Sequence, residues 1–378
     1  MSSTRFLNVT VVSSLAIFCA WPTVGGQVIS SEKEKFQVEV VAEGLTNPWG
    51  MVQLPDGRLL VTEKRGDLRV IESGKFLDAK VAGIPAVFAK GQGGLLDIEL
   101  HPDYAKNGWI YLAFSDVKDN KGLTKIIRGR LKDMAFVDQE TIFEVPLEEY
   151  TGGGVHFGCR MEFDGKGYLF FSIGDRGDMK NAQMLTNVKG KIHRIRDDGG
   201  VPEDNPFFKE PGAARTIWSY GNRNAQGLKI HPVTGDLWEV EHGPRGGDEL
   251  NLIKKGKNYG WPVVTYGINY NGTPITDKTE APGMEQPVIH WTPSIAVGGL
   301  DFYNGKLFPN WTNNMFATAL AHQKLVRIEI GDDNKVKSQE IMLEKSGRIR
   351  DVRCLADGSI YLIYDEPGKI VRLVPASS

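Results

Sequence analysis

Four segments gather the side chains able to do chemistry. In Gly152-Gly-Gly-Val-His-Phe-Gly158, His156 stands among glycines that let it project into a cavity, and imidazole titrates near neutral pH as a general base must. The commoner fate of a lone loop histidine is a ring satisfied by backbone. Tyr220-Gly-Asn-Arg-Asn-Ala-Gln-Gly227 offers Arg223 and Asn224, which could grip a polar, anionic or quinone-like ligand or pin the loop through a salt bridge. Glu241-His-Gly-Pro-Arg-Gly-Gly-Asp-Glu-Leu-Asn251, with Asn258-Tyr-Gly-Trp-Pro262 shortly after, sets the carboxylates of Asp248 and Glu249 beside the carbonyls of Gly243 and Pro244. These are the hard oxygens that Ca2+ takes, although the spacing is not that of an EF-hand and an ordinary acidic turn has the same composition. Gly347-Arg-Ile-Arg-Asp351 puts Arg348 and Arg350 on one face of a strand, which suits a polycarboxylate or a solvated sheet edge. Gly174-Asp-Arg-Gly177 reads as a tight polar turn.

The elements that must position these residues follow a degenerate repeat: a short apolar strand, a Gly-bearing turn, then a β-branched or aromatic strand. It starts at Trp49, Leu95, Cys159, Gly227, Gly299 and Val352, at intervals of 46, 64, 68, 72 and 53 residues. The turns include Asp56-Gly57, Asp164-Gly165, Asn304-Gly305 and Asp357-Gly358, the chemistry a tight hairpin needs for positive φ. In the fifth copy the partner strand is expected at Lys306-Leu-Phe308. Six sheet-sized units at this interval point to an all-β, six-bladed β-propeller, and a β-sandwich with coincidental hairpins fits them poorly. The wide middle intervals imply long loops there, where function tends to sit.

The chain has 378 residues, 45 Lys+Arg against 47 Asp+Glu and a net charge of −2, which argues against a nucleic-acid surface. Its 44 glycines exclude a helical bundle. Arg5 ahead of the apolar stretch from Val9 to Ala20 and the small residues Val24, Gly25 and Gly26 has the order of a secretory signal peptide over 1–26. The apolar stretch is shorter than the ~20 residues that span a bilayer, so no membrane span is expected in the mature protein. The expectation is an exported protein, periplasmic or secreted, with one propeller domain over 27–378. Two cysteines, Cys159 and Cys354, remain after cleavage; one bridge between them is allowed in an oxidising compartment.

Several ordered motifs carry a resemblance. These are Asn-Pro-Trp-Gly (47–50), Gly-Gln-Gly-Gly-Leu-Leu-Asp (91–97), His-Phe-Gly (156–158), Gly-Asp-Arg-Gly, Gly-Asn-Arg-Asn-Ala-Gln-Gly, Glu-His-Gly-Pro-Arg-Gly-Gly-Asp-Glu, Asn-Tyr-Gly-Trp-Pro and Arg-Ile-Arg-Asp-Val. From about Leu45 to Leu373 the chain resembles the soluble pyrroloquinoline-quinone (PQQ)-dependent sugar dehydrogenases, in the aldose sugar dehydrogenase branch of the glucose/sorbosone dehydrogenase family. The resemblance implies a six-bladed propeller that oxidises the C1 hydroxyl of aldoses to lactones. It implies His156 as general base and Arg223 and Asn224 beside the quinone. Gln92, Tyr270, Arg348 and Arg350 would be further PQQ contacts. Gly243 and Pro244 would hold the catalytic Ca2+ through carbonyls, and Glu249 and Tyr259 would be ligands of a second, structural Ca2+.

The chain departs from that pattern at Ala321, where many relatives carry a cofactor-binding Lys, and Lys324 could replace it only with a change of register. Val155 and Cys159 also differ from common family residues. The rival to a dehydrogenase is a non-redox propeller that binds a carbohydrate or other small ligand without turnover; a lactonase is disfavoured for want of its metal set. The sugar, the electron acceptor and the choice between monomer and homodimer are not legible.

Overall fold

The computed structural model describes residues 27–376, so the signal-peptide segment lies outside the described residues. Six antiparallel sheets form the ring, five of four strands and one, blade 6, of five, in which Ile29–Ser30 pairs along the edge of Lys35–Glu43. Blade 1 comprises Pro48–Gln53, Leu59–Glu63, Asp67–Glu72 and Lys75–Phe76; blade 2 comprises Leu95–Leu100, Ile110–Lys118, Lys121–Lys132 and Ala135–Phe143. Blade 3 is Met161–Phe163, Tyr168–Ile173, Lys191–Arg196 and Ile217–Tyr220, and blade 4 is Ala225–Ile230, Leu237–Glu241, Asp248–Ile253 and Ile289–Trp291. Blade 5 is Val297–Phe302, Met315–Ala319, Lys324–Ile330 and Val336–Leu343.

Blade 6 takes Arg348–Cys354, Ile360–Glu366 and Lys369–Pro375 from the C-terminal end and its outer strand, Lys35–Glu43, from the N-terminal end. That pairing, from Phe36 opposite Pro375 to Glu43 opposite Lys369, closes the ring. Phe36 is fully buried there, edge-on to Trp311 at 5.7 Å, and its side chain contributes roughly 1.5–3 kcal/mol on burial.

The six repeats thus supply the inner strands of six blades. The fifth copy differs from expectation: its second strand is Met315–Ala319, and residues 306–308 belong to a loop. Phe308 and Trp311 explain the detour, since both are fully buried and stack at 4.3 Å, using the loop to fill the core. The glycines also serve the crowded inner strands. A Cβ on Gly227 would lie 2.8 Å from the Leu300 Cβ of the next blade.

At the axis, Asp97 Oδ1 accepts from Arg160 Nη1 and Arg353 Nη2, each at 2.9 Å. Asp351 Oδ2 accepts from Arg160 Nη1 and Arg353 Nε, each at 3.0 Å. This buried network ties blades 2, 3 and 6 together, and removing one partner would cost about 3–5 kcal/mol. Arg160 also lies 4.2 Å from the Trp49 ring, which connects blade 1 to it. Cys159 and Cys354 are both free thiols; the first packs with the blade 2–3 core and the second against the core of blades 5 and 6, so the allowed bridge does not form.

Candidate active site

Strand alternation sends two kinds of connection to one end of the ring: those entering each inner strand, and those joining the second and third strands of a blade. Gln92, His156, Arg223, Ala296 and Arg348 belong to the first kind, and Lys64, Asp175, His242 and Leu320 to the second. The site is built where they meet.

His156 sits in a loop locked against the 90–94 loop. Gln92 N–H donates to the Gly154 carbonyl at 2.7 Å, and His156 N–H donates to Gln92 Oε1 at 2.7 Å. The two chains approach so closely that a Cβ on Gly91 would strike the Gly154 carbonyl. Arg176, stacked 3.4 Å over Phe157, donates to the carbonyls of Val155 and Gly153. These contacts hold His156 at φ 54°, a left-handed conformation unfavourable to a residue with a Cβ.

His156 Nδ1 lies 2.6 Å from Asp175 Oδ1. That oxygen also accepts from Gly177 N–H at 2.7 Å, while Asp175 Oδ2 accepts from Trp261 Nε1 at 2.8 Å. Burial pushes the Asp175 carboxyl up, but the hydrogen bonds from His156, Gly177 and Trp261 outweigh it and hold the group below the usual carboxylate range. Burial, with the nearby Arg223 and Arg176, lowers His156 below its ordinary value against the pull of Asp175. At neutral pH the pair is therefore a carboxylate and a neutral imidazole. An ionised carboxylate can only accept, which makes Nδ1 the donor and leaves the Nε2 lone pair available as a base.

His156, Asp175, Arg223, Pro244 and Trp261 line one cavity of about 270 Å³. Val155, Met179, Tyr270 and Ile275 complete its wall, with Tyr270 73 % exposed at the mouth. Arg223 Nη1 donates to the carbonyls of His242 (3.1 Å) and Gly243 (2.7 Å). Asn224 is buried beneath, its Oδ1 accepting from Gly158 N–H at 3.2 Å.

A neighbouring cavity of about 300 Å³ over the axis is lined by Trp49, Lys64, Gln92, Gln226, Arg348 and Arg350, among others, with Asp365 as its carboxylate. Arg350 donates to Gln226 Oε1 at 3.0 Å, but its buried Nε has no partner among the described residues. Burial, with Arg160 and Arg348 nearby, pulls Arg350 down to about 10 despite the opposing Asp365. The pocket carries more positive than negative side chains, with Lys64, Arg348 and Arg350 against Asp365. Leu320 lines it, Ala321 occupies the adjoining turn, and Lys324 is engaged elsewhere with Glu344 at 3.1 Å.

A third space, about 10 Å³ and so room for one water-sized occupant, lies among Arg223, Glu241, Gly243, Glu249, Tyr259 and Thr265. Burial raises Glu241 to about 7 and Glu249 to about 8, and raises Glu239 well above its ordinary value. Glu239 Oε1, Asn222 Oδ1 and Asn251 Oδ1 are buried acceptors without partners among the described residues. Such a set suits a cation fed by amide and carbonyl oxygens as well as carboxylates; among the described residues no group of three His, Cys, Asp or Glu is placed to hold a metal alone.

The residues singled out in the sequence are thus brought into three adjoining spaces, with three differences. Asp248 lines none of them, its carboxylate accepting from Gly243 N–H, Ser294 Oγ and Val297 N–H. Asn224 turns its carbonyl to the backbone, and Tyr270 belongs to the mouth of the His156 cavity rather than to the arginine pocket. Asp175, Trp261 and Lys64 were missed as site residues. For Asp175 and Lys64 the usable signal is position in the repeat, since Lys64, like His242, directly follows a second strand and Asp175 lies one residue further on.

The aldose sugar dehydrogenase YliI of Escherichia coli is 44% identical over 345 residues, which cover 89% of this chain and 92% of the relative. The crystal structure of the soluble aldose sugar dehydrogenase from Escherichia coli in the apo-form superposes with a TM-score of 0.85 at 43% identity, covering 90% of this chain and 99% of that one. The PQQ-bound form of the aldose sugar dehydrogenase from Streptomyces coelicolor gives a TM-score of 0.72 at 27% identity, covering 91% and 99%. Residues 45–372 match the Glucose / Sorbosone dehydrogenase family, to which this chain belongs.

Proposed function

We propose that this protein is an exported, PQQ- and Ca2+-dependent dehydrogenase that oxidises the C1 hydroxyl of aldose sugars to lactones. The observation that carries the reading is the convergence of a neutral His156 backed by Asp175, with Arg223 on the same cavity, beside a pocket whose cations Lys64, Arg348 and Arg350 face one carboxylate, Asp365. PQQ is a tricarboxylate quinone, and Arg348, Arg350 and Gln92 would hold it; when bound it supplies a hydride acceptor.

His156 Nε2 takes the proton of the C1 hydroxyl, and Asp175 stabilises the imidazolium that forms. Arg223, on the same cavity, would supply positive charge to stabilise a reduced quinone held there. Trp261 and Tyr270 offer flat faces to the sugar, and the apolar wall of Val155, Met179 and Ile275 restricts water around the reacting carbon. Gly243 and Pro244 would offer carbonyls to one Ca2+; the Gly243 oxygen already accepts from Arg223 and has a second lone pair. Glu249 and Tyr259, with the unpartnered oxygens around them, would hold a second. A separate electron acceptor would be needed to complete turnover.

The test is reconstitution of the purified protein with PQQ and Ca2+, followed by dye-linked oxidation of a panel of aldoses. Activity requiring PQQ, and falling about 10²- to 10⁴-fold in His156→Ala with PQQ binding retained, is expected. Absence of PQQ binding would refute the reading.

A further inference from the structure

Resting on the cofactor reading above, one feature of the arginine pocket goes further. A tricarboxylate brings three anionic groups, whereas the pocket has two arginines, and Lys324 is turned away to Glu344. The pocket nevertheless contains an ammonium from a different blade. Lys64 follows the second strand of blade 1 and lines the same cavity as Arg348 and Arg350.

Its backbone is fixed from both sides. Lys64 N–H donates to the Asn47 carbonyl at 3.2 Å, and the Lys64 carbonyl accepts from Leu95 N–H at 3.1 Å. A Cβ on Gly94 would run into that carbonyl, so glycine is needed for blade 2 to approach this closely. The side chain is half-buried, and its one hydrogen bond among the described residues goes to a neutral acceptor, the Gly91 carbonyl at 3.1 Å.

The carboxylate lining the same pocket, Asp365, is shared: it accepts from Asn47 Nδ2 at 3.1 Å and lies 3.7 Å from Arg348 Nε. Three cations therefore face one acid. Burial and the repulsion of Arg350 and Arg348 weaken the hold of Lys64 on its proton, opposed by Asp365. An arriving carboxylate would relieve that repulsion and replace a neutral acceptor by an ionised one, the stronger kind of hydrogen bond.

We propose that Lys64 is the third cation of the pocket, binding a carboxylate of the cofactor from blade 1. Isothermal titration of the Ca2+-loaded protein with PQQ, and separately with its uncharged trimethyl ester, tests this without reference to turnover. Lys64→Met is expected to weaken PQQ at least about tenfold while leaving the ester unchanged, Lys64→Arg to stay within about threefold, and Lys324→Met to have no effect. Thermal melts of each variant confirm that the fold is retained. Equal PQQ affinity in Lys64→Met and wild type would overturn the proposal, as would an equal loss for PQQ and ester, which is the mark of a purely structural clasp. Failure of the wild type to bind PQQ would instead remove the cofactor reading itself, and this proposal with it.

Discussion

Replacing Asp175 by Asn tests the central claim about the base. The side chain uses three acceptor directions: Oδ1 toward His156 and Gly177, and Oδ2 toward Trp261. An amide has one acceptor and one donor. If its oxygen faces His156, its NH2 opposes the Trp261 N–H, and the charge that stabilised the imidazolium is gone. If it turns round, its NH2 faces Nδ1, Nε2 becomes the protonated nitrogen, and the base is lost outright.

The milder case sets the lower bound. An imidazolium and a carboxylate with charges about 4 Å apart attract by about 4 kcal/mol at an effective dielectric of about 20. With roughly half the proton transferred in the transition state, about 2 kcal/mol is lost, a fall of about 30-fold in kcat. The sign of the pH effect follows from the same pair. Asp175 raises the His156 pKa, so its removal lowers that pKa further, and the acid limb of the kcat/KM profile moves to lower pH while the plateau drops. Steady-state kinetics of the reconstituted enzyme across pH, with PQQ affinity measured alongside, reads both. A kcat within about threefold of wild type and an unmoved acid limb would refute the dyad.

Three further outcomes are expected. Arg350→Met removes a buried cation with an unpartnered Nε, so melting of the apoprotein should be unchanged or raised, while PQQ binding weakens about 10- to 150-fold; a lowered melting temperature with intact binding would contradict this. Adding Ca2+ should raise the melting temperature and EDTA should lower it, the shift corresponding to about 2.7 kcal/mol at a hundred times Kd. Glu249→Gln should shrink that shift, and insensitivity of the wild type to EDTA would exclude the cation at Glu249 and Tyr259. Thiol titration of denatured, unreduced protein should find Cys159 and Cys354 both free.

Much of the architecture was legible because it is local. Asp56-Gly57 and Asp357-Gly358 form turns through the conformational freedom of their own glycines, and the flanking apolar runs pair with their immediate neighbours. The blade number follows from counting such hairpins. The fifth misled at residues 306–308, because the demand of the core for Phe308 and Trp311 outweighed a strand-like run. The ordered motifs, through the family resemblance they carry, also mark His156, Arg223, Arg348 and Arg350.

What the sequence by itself determined, then, is the repeating hairpin and the set of side chains able to bind and to abstract a proton. Tertiary structure alone decided which of them work together. Ring closure joins Lys35–Glu43 to Lys369–Pro375, and the backing of His156 by Asp175 depends on Trp261 arriving from blade 4. The cations of the pocket come from blades 1 and 6. Turn and strand preference are properties of neighbours along the chain, whereas desolvation, a shifted proton affinity and an unpartnered buried charge exist only once distant segments have excluded water from a common space.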